Sequence, residues 1–211
     1  MQQALGKQGL ELVHHRFMNP GWTRFQVQSR PDLCPQRIVR RMQLYLLDFM
    51  RDEMPGCVRN TFGIKSCGLV TSATLREVAA AEVEQEIDEG ESNAVRHYQI
   101  QRKIDLSKKQ TTHHGEYSYN LHIDLDLDSD QIRNRKNFVE LAHDHILRFS
   151  RQRKDRLLQA TVLPKHVDLT LGSRFEASPA EIALDYMNSL ADACHHRPVF
   201  CFSVYVNTLD H

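Results

Sequence analysis

The clearest pattern in the chain is at 117–127, where Tyr119, Leu121, Ile123, Leu125 and Leu127 alternate with Asn120, His122, Asp124 and Asp126. A period of two places the apolar set on one face of a single half-buried strand and the polar set on the other. Asp130 then caps a helix whose apolar positions are Ile132, Phe138, Val139, Ala142, Ile146 and Phe149. Two strands follow, 157–163 and 166–171, joined at Pro164-Lys165. Ser178-x-x-Glu181 is a capping box with Pro179 at the first helical position, and it opens a helix running through Ile182, Tyr186 and Leu190 to about His196. Pro198 ends that helix, and 199–206 alternates as a last strand. The order strand, helix, strand, strand, helix, strand predicts an α+β fold with a ferredoxin-like βαββαβ unit, an antiparallel sheet carrying both helices on one face. In the usual 4-1-3-2 order its first and third strands are central, and the other sheet face is open.

The first half is less regular. Residues 23–28 alternate as a short strand, and Pro35 opens a helix over 36–54 with Ile38, Met42, Tyr45, Leu46 and Phe49 on one face. Pro55-Gly56 stops it. A second helix is predicted over 73–89, from a Thr74-x-x-Glu77 capping box to Gly90. Residues 95–115 are polar, with Lys108-Lys109-Gln110 and His113-His114, and read as a linker. The chain therefore divides into an N-terminal, mainly helical extension over 1–115 and a second domain over 116–211.

Composition narrows the function classes. Among 211 residues, 27 Lys and Arg balance 27 Asp and Glu, so a uniformly basic nucleic-acid coat is excluded and any such binding needs a local patch. The charges do segregate. Seven acids and no base fall between Glu77 and Glu91, whereas eight bases against three acids fall between Gln131 and Arg156. No apolar run reaches the roughly 20 residues of a membrane span, and the start lacks the basic-then-apolar pattern of a secretory signal, so no membrane partner and a cytoplasmic address are expected. Five cysteines at unrelated spacings, with no C-x-x-C, read as reduced packing thiols.

The candidate chemistry lies on the expected open face. If Val167, Leu169 and Leu171 face the helices, then His166, Asp168 and Thr170 face away, as His122, Asp124 and Asp126 do on the neighbouring strand. Imidazole beside carboxylate at i, i+2 on two central strands is a workable half-shell for Mg²⁺ or Mn²⁺, with a phosphodiester as the natural substrate. The plainer alternative is a solvated polar sheet face. A basic cluster, Arg148, Arg151, Arg153, Lys154 and Arg156, closes the preceding helix and suits several phosphates; it equally suits the negative end of the helix dipole. Arg37, Arg40 and Arg41 are a second basic group. The adjacent pairs His14-His15, His113-His114 and His195-His196, and the i, i+2 pair His143 and His145, share no face and are expected at the surface.

Several of these segments resemble the single-tyrosine HUH endonucleases and transposases, including the insertion-sequence and REP-associated tyrosine transposases. Leu163-Pro164-Lys165-His166-Val167-Asp168-Leu169-Thr170-Leu171 looks like their "MPNHVHLLL" strand, Tyr119-Asn120-Leu121-His122-Ile123 like their first strand, Ser178-Pro179-Ala180-Glu181-Ile182 like their "SPSEIV" helix start, and Ser203-Val204-Tyr205-Val206-Asn207-Thr208 like their "SYYVGT" strand. The resemblance covers 117–211. It implies a ferredoxin-like domain, often a homodimer, that binds single-stranded or hairpin DNA, holds a divalent metal through two histidines, and cleaves a strand through a 5′-phosphotyrosine. Here the second histidine is Asp168, and the chain reaches His211 before the helix on which the family carries its tyrosine. Tyr186 and Tyr205 remain as candidates, Tyr186 at core spacing and Tyr205 at a family strand position, so strand cleavage is expected to be weak or absent.

Two other readings stay open. One is a metal-dependent nucleotidyl- or phosphotransfer domain using the D-x-D and histidine face. The other is a non-catalytic module whose acidic helix over 73–89 docks a basic protein.

Overall fold

The computed structural model describes residues 9–19, 22–53, 69–70, 110–112, 115–127, 138–163, 166–193 and 202–208. The helix predicted over 73–89, most of the linker, the predicted start of the helix capped by Asp130, and residues 194–201 lie outside them. Among the described residues the architecture is mixed α+β, with three helices and largely antiparallel sheets.

The chain opens on a hairpin of β1 (Leu10–Asn19) and β2 (Trp22–Ser29), the second of which contains the predicted strand. Helix α1 (Pro35–Glu53) follows, with Pro35 at its first position, where a missing N–H costs nothing. Leu10 and Leu12 of the hairpin pack with Leu33 and Met42, and Phe25, Val27, Ile38 and Tyr45 close the same small core. This unit touches the second half at two backbone hydrogen bonds, Ala180 N to Pro31 O (3.0 Å) and Gln36 N to Phe175 O (3.1 Å), and Val39 packs on the larger core.

The structure corrects the sequence reading between 110 and 127. Gln110–Thr112, expected at the end of a linker, is a strand, β4, and the single strand expected over 117–127 is two. β5 (Gly115–Ser118) pairs antiparallel with β4 and parallel with β3 (Leu69–Val70), while β6 (Asn120–Leu127) belongs to another sheet. The division falls at Tyr119, whose carbonyl accepts a hydrogen bond from Ser173 N at 2.9 Å. The side-chain alternation continues across it, which is why periodicity alone cannot reveal the change of sheet.

The larger sheet is built from β6, β7 (Arg156–Val162), β8 (His166–Gly172) and β9 (Phe202–Thr208) in the order β7-β8-β6-β9, every neighbour antiparallel. Counted within this half, strands one and three are central. Helices α2 (Phe138–Arg153) and α3 (Pro179–Ala193) share one core with it: Phe138, Ala142 and Ile146 from α2, Ile182, Tyr186 and Leu190 from α3, and Leu121, Ile123, Leu125, Val167, Leu169 and Leu171 from the central strands. Each such fully buried aliphatic side chain contributes about 1.5–3 kcal/mol.

Local signals set the helix ends. At α3 the capping box forms as predicted: Ser178 N donates to Glu181 Oε2 at 2.8 Å, and Glu181 N donates to Ser178 Oγ at 3.2 Å. The C-terminus of α2 closes in a Schellman motif, Lys154 N to Arg151 O (3.2 Å) and Asp155 N to Ser150 O (2.9 Å), with Lys154 at φ 63° in the left-handed region normally left to glycine. The motif turns Asp155 inward. Its carboxylate accepts from Arg153 Nε (2.9 Å), Ser173 Oγ (2.7 Å) and Tyr186 Oη (3.4 Å), joining α2, the β8–α3 loop and α3. Asp155→Ala would leave the largely buried Arg153 without its best partner, and a loss of about 3 kcal/mol is expected, measured as the shift in urea midpoint against the parent protein.

Candidate functional site

Cross-strand register determines which polar residues meet. Thr161 pairs with Asp168, Asp168 with Asp124, and Asp124 with Tyr205, so one row crosses all four strands. A second row runs Gln159, Thr170, His122, Asn207. A third begins at His166, opposite Asp126, which in turn faces Ser203. The four sequence candidates His122, Asp124, His166 and Asp168 thus fall on the two adjacent central strands, in neighbouring rows.

The face is more enclosed than the sequence reading expects. Asp168 (7%), Thr170 (8%) and Thr161 (7%) are buried, and His122, Asp124 and Gln159 have intermediate exposure. Strands flank β8 and β6 on both sides, and cross-strand neighbours shield side chains from the edges as well as from below. His122 sits over the centre, with Nδ1 3.5 Å from Thr170 Oγ1 and Nε2 3.7 Å from Asp168 Oδ1. The second distance is too long for a hydrogen bond but short enough for a protonated imidazole to attract the carboxylate.

Two carboxylates directly opposite each other repel. A hard divalent cation suits the chemistry of this donor set, with oxygens from Asp124 and Asp168 and nitrogen from His122. Among the described residues, however, no three His, Cys, Asp or Glu side chains converge to hold an ion. His166 and Asp126 are placed by backbone register, next to the carboxylate pair.

The two tyrosines separate clearly. Tyr186 is fully buried on α3, edge-on to Phe149 at 5.0 Å, and burial together with Asp155 pushes its hydroxyl up from the ordinary phenol value. A nucleophile needs access and a lowered pKa, and Tyr186 has neither. Tyr205 lies on β9 at the register position facing Asp124.

The basic cluster is divided by the fold. Arg148, Arg151 and Lys154 are exposed around the end of α2. Arg153 lies over the Phe149 ring, its Cζ 5.8 Å from the centroid, and is ion-paired to both Asp155 and Asp185. Arg156 lies half-buried along the sheet, donating to Asn120 Oδ1 at 3.2 Å. It crosses the α-carbon of Gly172, where a Cβ would come within 3.0 Å of its Nε. Arg153 and Arg156 are therefore committed within the fold, and three cations of the five face solvent.

The histidine reading also needs correction on α2, where His143 has only 13% of its side chain exposed and His145 is built into the helix interface. His145 is not a bare surface residue: its Nε2 lies 2.6 Å from Ser189 Oγ and its ring stacks near Phe149, so it stitches α2 to α3. The missed signal was its i, i+3 and i, i+4 spacing from Ala142 and Phe149 on the apolar stripe. Burial first, then Arg148, lowers its pKa, against a smaller opposing pull from Asp192.

No family model matches the chain, and no curated protein matches it. Among solved structures, a REP-associated tyrosine transposase bound to a REP hairpin is similar, with 10% sequence identity and a TM-score of 0.37. The match covers 44% of this chain and 57% of that one, a little over half its length. No helix among the described residues is long and apolar enough to cross a membrane.

Two outcomes are expected from this geometry. Because the folded pKa of His145 lies below its unfolded value of 6.5, the unfolded state takes up the proton first as pH falls, so stability is greatest above pH 6.5 and declines below it. His145→Gln keeps a polar contact to Ser189 but cannot titrate, and its stability curve between pH 7 and 5 should be flatter than the parent's. Lys154→Gly relieves the left-handed backbone and should raise stability by about 1 kcal/mol in chemical denaturation.

Proposed function

We propose that this protein binds single-stranded or hairpin DNA in the manner of a transposase, with the polar face of the four-stranded sheet addressing the strand and Arg148, Arg151 and Lys154 holding phosphates beside it. The observation that carries this reading is the pairing of β6 with β8, Asp124 opposite Asp168 and Asp126 opposite His166. It brings the two H-x-D segments together at the centre of a sheet whose strand order and helix placement suit a ferredoxin-like DNA-binding domain. The segments resembling the tyrosine transposases fall on these same elements, in the same order.

Binding, rather than turnover, is the main activity proposed. Phosphate contacts would come from exposed cations, which displace counterions from the DNA on binding and so tie affinity to salt. His122, Asp124, Asp168 and His166 would hold Mg²⁺ or Mn²⁺ in this reading, and the cation would supply charge neutralisation at a phosphate on the sheet face. With Tyr186 enclosed in the core, Tyr205 is the remaining candidate nucleophile in this reading, and its place in a strand would make cleavage slow or absent.

A labelled DNA hairpin with a single-stranded foot, titrated with the full chain at several salt concentrations, tests the proposal. Arg151→Glu combined with Lys154→Glu should weaken binding by at least about tenfold and reduce the slope of log K against log salt by about two. Asp168→Ala should abolish any dependence of binding on Mn²⁺ while leaving that slope unchanged. A folded double variant that binds as tightly as the parent would refute the phosphate assignment.

A further inference from the structure

A second surface, on the N-terminal hairpin, has a composition that the sheet-face reading leaves unused. Paired residues in an antiparallel ribbon share a face, and the register of β1 with β2 sorts them cleanly. Leu10 with Ser29, Leu12 with Val27 and His15 with Phe25 lie on the side held by α1, where Leu10, Leu12, Phe25 and Val27 join the small core with Met42 and Ile38. Glu11 with Gln28, His14 with Gln26 and Arg16 with Arg24 lie on the other side. All six of these are exposed. A bulge between Leu12 and His14 takes Val13 out of the ladder and restores the polar register beyond it.

The pair Arg16 and Arg24 is unusual. Like charges directly opposite on a ribbon destabilise it, and the common remedy is an acid across the strand. The only acid on this face, Glu11, is at the far end opposite Gln28. Neither Arg16 nor Arg24 has an ion-pair partner among the described residues. Arg30, just past the end of β2, by contrast donates from Nε and Nη2 to the two carboxylate oxygens of Asp32, at 3.0 and 2.9 Å. The ribbon thus retains two opposed guanidinium groups whose repulsion a bound anion would relieve.

We propose that the outer face of the β1–β2 ribbon binds duplex DNA in the major groove, independently of the sheet-face reading above. A two-stranded ribbon has the width the major groove admits, and Arg and Gln are the side chains that pair bidentately with guanine and adenine edges. Arg24, Gln26 and Gln28 recur every second residue, about 6.8 Å apart along the strand, close to two base-pair rises of about 3.4 Å. Between the Glu11–Gln28 and Arg16–Arg24 pairs the ladder carries no large apolar residue on this face, Trp22 pairing with Asn19 beyond them and Val13 standing exposed at the bulge; the charge of this stretch is complementary to a phosphate backbone, which favours a nucleic acid over a protein groove or a lipid surface as its occupant. Arg16 and Arg24 would take phosphates or guanine; His14, Gln26 and Gln28 would sample base edges.

The test is fluorescence anisotropy of a short blunt-ended DNA duplex, which has no single strand for the sheet face, titrated with the full chain. Arg16→Ala with Arg24→Ala should weaken binding at least about tenfold and lower the salt slope by about two. Arg16→Glu is the sharper variant: it sets an acid opposite Arg24, so thermal stability should equal or exceed the parent's while duplex affinity falls further. A ribbon arginine that served only the fold would give the reverse correlation. Asp168→Ala should leave duplex binding intact, so failure here and failure of the sheet-face reading are distinct results. The proposal is overturned if the parent does not bind the duplex, if the double alanine variant binds it with unchanged affinity and salt slope, or if heparin and anionic phospholipid vesicles bind as tightly as the duplex.

Discussion

One buried carboxylate organises the second half of the chain. Asp155 stands at the point where α2 has ended and β7 has not begun, and it is directed inward by the two hydrogen bonds of the Schellman motif. From there it ties Arg153, Ser173 and Tyr186 together. Each contact fixes a different element: Arg153 the last turn of α2 and, through Asp185, the flank of α3; Ser173 the exit of β8; Tyr186 the middle of α3. A carboxylate so enclosed is tolerated only because a charged partner and hydroxyl donors surround it. The sheet could carry its helices without this junction, since the apolar core is continuous, but their angle to β8 would be set by packing alone.

That junction also explains how the basic cluster divides. Five cations within nine residues look interchangeable in the sequence, yet their neighbours differ. Arg153 faces two carboxylates and an aromatic ring, and charge and hydrogen bonds from Asp155 and Asp185 keep it ionised despite burial. Arg156 fills a groove that exists because residue 172 has no side chain. Arg148, Arg151 and Lys154 are exposed and, among the described residues, meet no carboxylate, Arg148 Nε donating to Asp144 O at 3.3 Å. Lysine at a left-handed position costs the protein stability that glycine would not. Its side chain is projected from the end of α2 beside Arg151, where a phosphate-binding role would offset that cost.

Much of this was readable from the chain itself, for physical reasons that vary by element. The capping box at Ser178 and the proline at residue 35 are local devices, fixed by a few neighbouring atoms, and they form as their spacing requires. The alternation through Leu121, Ile123 and Leu125 reports burial, and burial is what the structure shows. Alternation cannot report which sheet a strand joins, so the transfer at Tyr119 was hidden. Strand β1 was missed because the bulge at Val13 breaks its period, even though Pro20-Gly21 before a second alternating run signals a hairpin turn. For the candidate site, sequence supplied the residues but not their enclosure. Whether Asp168 is wet depends on its neighbours across two strands, which no one-dimensional pattern contains.

The two polar surfaces are built on opposite logic, and this bears on what each can bind. On the large sheet the polar rows lie between flanking strands, with Asp168 and Thr170 nearly enclosed, so a ligand there must replace water at a few fixed positions and meets groups of restricted rotamer. Such a face discriminates by geometry. On the hairpin the polar residues are exposed on a ribbon that has two strands among the described residues, and an anion bound there, as proposed, would order the opposed arginines. Such a face attracts by charge and adjusts its shape afterwards. A chain of zero net formal charge gains little from long-range attraction as a whole. Among the described residues, Arg16 and Arg24 on the hairpin and Arg151 and Lys154 at the end of α2 have no ion-pair partner, whereas Arg30 and Arg153 are neutralised by local acids, so under the two proposals the attraction would be confined to those two surfaces.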